Sequence, residues 1–210
     1  MIIDEIIAAL ASACIGETFN QYSRSRLRRE RLGEYLAVRW KAPILLVGEA
    51  AGYRGARVSG VPFTSERQLT GRGPAEATAT VVHRVLAELG LEDDVLLWNV
   101  VPTHPGTERS NRRPTRLEIE AGLPFLEQLA RGRRVVAVGR IAEAATGAPY
   151  VRHPARGGAE AFRRGLFAVR RTGADGWATF GYFSLASRRR FTTSQRGFCL
   201  FLERERATDS

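Results

Sequence analysis

An apolar run, Ile44-Leu45-Leu46-Val47, breaks at once into Gly48-Glu49-Ala50-Ala51-Gly52. Four large aliphatic residues bounded by small ones read as a buried strand, and the small residues after it as a turn around one carboxylate. Val95 to Val101 and Arg134 to Val138 are two further strand runs, and Tyr150 to Arg152 is a short fourth. Helical spacing lies between them. Val81, Val82, Val85, Leu86 and Leu89 form one amphipathic stripe. Thr115 with Glu118 makes a capping-box pattern that opens a helix through Leu117, Leu123, Leu126 and Leu129. Pro124 bends that helix or marks its true start. Ile141 to Ala145 and Gly158 to Val169 complete the set, while Ile2 to Ala13 and Arg24 to Arg39 are helical stretches ahead of the first strand. Strands alternating with helices predict a three-layer α/β/α sandwich around a mainly parallel sheet of about four strands. Ligands of such sheets bind beyond the strands' carboxyl ends. Glu49, Asn99 and His153 each fall at such an end, on segments far apart in the chain.

The chain has 210 residues, enough for one domain with a full core. Residues 1–171 are expected to form that domain. Residues 172–210 are a C-terminal extension to which the sequence assigns no role, although Trp177 to Leu185 and Gly197 to Leu202 could be strands. No apolar run approaches the ~20 residues of a membrane span. Asp4 and Glu5 stand where a signal peptide would be basic, so a cytoplasmic protein is expected; a monomer is expected as well. The net charge of +10 and a pI near 10.8 favour a polyanionic partner, most often nucleic acid. Nearly all the basic residues are Arg, with Lys41 the one Lys. Genome base composition accounts for Arg over Lys but not for the excess of positive charge. Cys14 and Cys199 are the two cysteines, with no CxxC or Cys/His cluster, so no metal or other cofactor is expected.

The loops match no nucleotide fingerprint. Gly48-Glu49-Ala50-Ala51-Gly52 is not G-x-G-x-x-G, there is no P-loop, and no Ser sits in a nucleophile elbow. Taken singly, Glu49 could equally cap a helix or pair with Arg, and His153 before Pro154 could be structural. Asn99 is harder to explain away. It follows Trp98 inside an apolar strand, where its amide must find partners: it either fixes a loop or reads a ligand.

The segments taken in order resemble the uracil-DNA glycosylase superfamily. Gly48-Glu49-Ala50-Ala51-Gly52 with Ser59-Gly60-Val61-Pro62-Phe63 is similar to the first motif of the branch written GEAPG…GxPF. Asn99-Val100-Val101-Pro102, with Asn111-Arg112-Arg113-Pro114-Thr115 behind it, resembles the base-reading strand and its loop. Val135 to Gly139 resembles the VALG segment, and His153-Pro154-Ala155 the HPS motif. The likeness covers about residues 43–170. It implies a monofunctional DNA repair enzyme that flips uracil, or another deaminated base, out of DNA and hydrolyses its glycosidic bond. Phe63 would stack on the base, Asn99 would bond its N3–H and O4, and Gly48 and Ala50 would line the pocket. Glu49 would orient water or stabilise the cationic sugar, and His153 would bond O2 as negative charge builds.

Departures from the family pattern carry expectations of their own. The GEAPG branch usually holds an iron–sulfur cluster on four cysteines, which this chain lacks. Ala51 replaces the motif's Pro. Ala50 stands where the best-known branch has a catalytic Asp, so a non-catalytic relative that binds uracil or abasic DNA is the alternative reading. Gly52 stands where that branch has a Tyr against the thymine methyl, which leaves Tyr53 as a candidate for excluding thymine. In the loop after His153, Arg156 either fills the gap left by the flipped base or is a surface Arg on a helix-opening turn. Gly157 and Gly158 would let backbone approach phosphate.

Overall fold

A computed structural model describes residues 2–171, and both candidate strands of the C-terminal extension lie outside the described residues. Two helices, α1 (Ile2–Ser12) and α2 (Arg26–Arg39), precede the first strand, β1 (Ile44–Ala50). Two short helices, α3 (Ala56–Ser59) and α4 (Glu66–Thr70), lead to α5 (Ala77–Leu89) and the second strand, β2 (Val95–Val101). A hairpin of two-residue strands, β3 (Gly106–Thr107) and β4 (Ser110–Asn111), comes before α6 (Arg116–Ala130). The chain continues through β5 (Arg134–Val138), α7 (Arg140–Thr146), β6 (Tyr150–Val151) and α8 (Ala159–Arg171).

The central sheet has the order β2-β1-β5-β6, and all its neighbours are parallel. Strand alternation divides its side chains between two cores. Leu45, Val47, Leu96, Trp98, Val100 and Ala137 pack with α1, α2, α6 and α7. Ile44, Leu46, Val95, Leu97, Val136 and Val138 pack with α5 and α8. Burial of each such aliphatic side chain contributes about 1.5–3 kcal/mol, and the three expected layers follow from covering both faces of one sheet.

Local chemistry explains several boundaries. The Thr115–Glu118 capping box forms as expected, with Glu118 N–H donating to Thr115 Oγ1 at 3.3 Å and Thr115 N–H to the Glu118 carboxylate at 2.8 Å. Pro124 therefore lies inside α6 and does not start it. Gly122 lets α6 lie hard against β2, because a Cβ there would come within 2.1 Å of Val100 O. As an edge strand, β2 presents unpaired backbone groups, and Tyr35 of α2 covers one of them: its hydroxyl accepts the Leu97 N–H at 2.6 Å. The loop 102–114, read from sequence as polar and irregular, contains the β3–β4 hairpin.

Candidate active site

The strand ends meet at one rim. Register places Gly48 of β1 beside Asn99 of β2. Alternation then puts both on the α5–α8 side of the sheet, with Leu46 and Leu97 beneath them. Phe63 closes over this point. Its ring fits because position 48 has no side chain: a Cβ on Gly48 would lie 2.3 Å from Phe63 Cζ and 2.8 Å from Asn99 Oδ1. Phe63 holds φ at 52°, an unusual backbone for a residue with a side chain. Across the rim, Gly139 ends β5, and a Cβ on it would come to 3.5 Å from His153 Cβ, so the imidazole stands over the end of β5.

Between these groups lies a cavity of about 520 Å³. Glu49, Ala50, Phe63, Asn99, His153 and Arg156 all border it, so six of the expected residues come together. Gly48 touches it only through the ring and amide it accommodates. Tyr53 does not border it. Its backbone N–H donates to Asn111 Oδ1 at 2.9 Å, and the Arg54 guanidinium lies 5.4 Å from the centre of its ring. Gly157 is exposed, with φ at 75°, whereas Gly158 is buried and its N–H donates to Ala155 O at 3.1 Å. Of the two glycines, only the first presents open backbone. The second is required by packing, since a Cβ on it would meet His153 O at 2.1 Å.

The polar groups are poised in different ways. Asn99 is 4% exposed, and its amide has no hydrogen-bond partner among the described residues. Glu49 also forms no hydrogen bond or ion pair among them. Burial raises its pKa above the ordinary carboxylate value, against the pull of nearby Arg113. His153 is held below the ordinary imidazole value by burial, with a smaller push from Arg152. Its Nδ1 accepts the Ala155 N–H at 3.2 Å, so the neutral ring carries its proton on Nε2. Arg156 is exposed, with φ at 52°, and makes no hydrogen bond or ion pair among the described residues.

Other residues brace the site. Both ring nitrogens of the buried His104 lie against carbonyl oxygens, Ala51 at 2.7 Å and Thr107 at 2.8 Å, which ties the loop after β1 to the hairpin after β2. Arg112 borders the cavity while gripping Glu118 through both guanidinium arms, at 2.8 and 2.5 Å. Burial of Glu118 opposes ionisation, yet Arg112 and the Thr115 N–H hold its pKa below the ordinary value. Sequence reasoning missed Glu76, Thr78 and Pro105 as cavity residues; Arg152 entered only with the His153 segment, and Asn111 and Arg112 only through a resembled loop. No periodicity or motif marks Glu76. It stands ahead of an amphipathic helix, where a carboxylate is ordinary.

Fold and rim together define a three-layer α/β protein with a cavity of about 520 Å³ at the carboxyl edge of its sheet, bordered by an amide, an imidazole, a carboxylate and an aromatic ring. The chain belongs to the uracil DNA glycosylase superfamily, whose family model matches residues 37–196. A curated relative, the type-4 uracil-DNA glycosylase of Pyrobaculum aerophilum, is 34% identical over 105 residues, which is 48% of this chain and 46% of that protein. The chain thus spans about half the length of the curated relative it matches. The crystal structure of wild-type Pedobacter heparinus SMUG2 superposes with a TM-score of 0.60 at 12% identity, covering 81% of this chain and 97% of that one. That likeness is one of fold. The residues present do not suit a four-cysteine iron–sulfur cluster, because the whole chain has two cysteines.

Proposed function

We propose that this protein flips uracil out of DNA and hydrolyses its N-glycosidic bond, leaving an abasic site. The observation that carries the reading is the Asn99 amide, nearly buried, unpartnered among the described residues and bordering a cavity shared with Phe63, Glu49 and His153. A buried amide without partners is expensive unless a ligand supplies them. Uracil supplies both: its N3–H donates to Oδ1 and its O4 accepts from Nδ2. Cytosine presents the reverse pattern on that edge and pairs only if the amide turns over by 180°.

The remaining residues serve the bond that breaks. Phe63 stacks on the extruded ring. As the sugar–base bond stretches, its electron pair moves onto the base and negative charge gathers at O2. There the Nε2–H of neutral His153 donates a hydrogen bond that strengthens in the transition state. Glu49, with no hydrogen bond or ion pair of its own among the described residues, orients a water against the sugar carbon and faces the positive charge that develops there. Water oxygen bonds that carbon, the base leaves with the electron pair, and the water's proton passes to solvent or carboxylate. Arg156 and the exposed Gly157 backbone meet the DNA, with Gly158 holding their loop in place. The protein acts as a monomer and forms no covalent intermediate with DNA.

A second reading has Ala50 in its favour, a methyl group on the cavity wall where the best-known branch has a carboxylate. On that reading the protein binds uracil or abasic DNA without turnover. One experiment separates the two. An oligonucleotide with a single uracil is incubated with the protein, and abasic product is revealed by alkaline cleavage. Strand scission at uracil and none at cytosine supports excision. Tight binding with no scission favours the second reading.

A further inference from the structure

Glu76 directly precedes α5, yet its side chain makes no capping bond to the helix. Only its backbone serves the helix, its carbonyl accepting the N–H and hydroxyl of Thr80 at 3.0 and 3.1 Å. The carboxyl reaches instead across the loop after β1. A Cβ on Gly52 would lie 1.9 Å from its Oε1, and a Cβ on Gly55 would lie 2.1 Å from its Oε2. Two positions without side chains thus make room for one carboxyl group, and that group borders the cavity shared with Asn99 and His153. It forms no hydrogen bond or ion pair among the described residues. Burial raises its pKa above the ordinary carboxylate value.

Which edge of a bound ring it meets follows from the walls. A uracil ring has two carbonyl edges and one plain C–H edge. Asn99 takes the first carbonyl edge and His153 the second. Of the other cavity walls, the loop Ala50 to Gly52, backed by Glu76, is the one that continues β1 just past Gly48, the register partner of Asn99, and the C–H edge adjoins the carbonyl that Asn99 takes. Thymine differs from uracil by a methyl on that remaining edge. Pressed against the carboxyl, the methyl would strip it of water and return no hydrogen bond.

We propose that Glu76 is a specificity-determining residue of this pocket, closing the wall that Gly52 leaves open and excluding bases with a methyl on the C–H edge. The proposal rests on the reading of the cavity as a uracil pocket, so its test must tell the two apart. DNA carrying cleavage-resistant fluorinated analogues of deoxyuridine, thymidine or deoxycytidine is titrated against the wild type, Glu76→Ala, Glu76→Ser and Glu76→Gln. Thymine release from a G·T pair is measured in parallel. Glu76→Ser keeps an oxygen suited to capping α5. Melting curves confirm folding.

The wild type is expected to prefer the deoxyuridine analogue to both others. Shortening Glu76 to Ala or Ser should narrow its preference over thymidine at least tenfold and leave that over deoxycytidine intact. Glu76→Gln, equal in shape, should keep both. A wild type that prefers uracil, with an unchanged uracil-to-thymine ratio in the folded short variants, overturns the proposal alone. Equal weakening toward all three analogues overturns it as well. A wild type with no preference for uracil overturns the pocket reading and this proposal together.

Discussion

Asn99 carries the sharpest consequence of any single residue. A structural amide, once removed, leaves its partners stranded and the fold weaker. Asn99 has no such partners among the described residues, so Asn99→Ala should leave the melting temperature close to that of the wild type. Excision should fall steeply. Two unmade hydrogen bonds at about 1–3 kcal/mol each correspond to roughly a 30- to 25,000-fold slower single-turnover rate. A drop in stability without a drop in rate would make Asn99 a loop-fixing residue. Glu49 sets a pH expectation. On the proposed mechanism it works ionised; burial raises its pKa, and Arg113 opposes that rise. The acid limb of the excision profile should therefore lie above the ordinary carboxylate range. Arg113→Ala removes a charge that favours the carboxylate, so the limb should move to higher pH. A shift to lower pH, or none, would mean that another group governs the limb.

At the scale of elements, the closest joint is that between α6 and β2. Gly122→Ala would drive a methyl into Val100 O, a backbone atom that cannot swing aside. Denaturant unfolding should register a loss of about 1–3 kcal/mol. A stability equal to the wild type would mean that α6 can shift away from the sheet at little cost. The same elements show what was legible in the chain. β1, β2 and β5 announce themselves by apolar runs, and α5 and α6 by spacing and a capping box, because burying one face imposes a period. The hairpin β3–β4 and the short helices α3 and α4 impose none. A two-residue strand cannot alternate, and a four-residue helix has no face. The site divides in the same way. Asn99 betrays itself as a polar residue in an apolar strand, and Glu49 and His153 by lying at strand ends. Glu76 is an acidic residue in a polar loop, and only its reach over Gly52 and Gly55 distinguishes it.

For the whole molecule, charge leads. With a net charge of +10, DNA binding should weaken with salt, the log–log slope steepening by about 0.9 for each phosphate neutralised. Arg156 is the informative cation. It borders the cavity, is exposed and forms no ion pair among the described residues. If it fills the stack behind the flipped base, Arg156→Ala should slow excision from duplex DNA much more than from single strands, which have no gap to fill. An equal loss on both, with the salt slope reduced by about one, would identify a plain phosphate contact.

Phe63 keeps its backbone where residues with side chains seldom go, at a cost of about 1–3 kcal/mol. Folding bears that cost before any nucleotide arrives. The ring therefore stands ready in the empty protein, and little of it remains to be ordered on binding. Recognition becomes a matter of fitting rather than of closing. A free planar heterocycle with uracil's hydrogen-bonding pattern, lacking sugar and phosphate altogether, meets the same walls. On the proposed reading, small molecules that ignore DNA entirely should inhibit the protein.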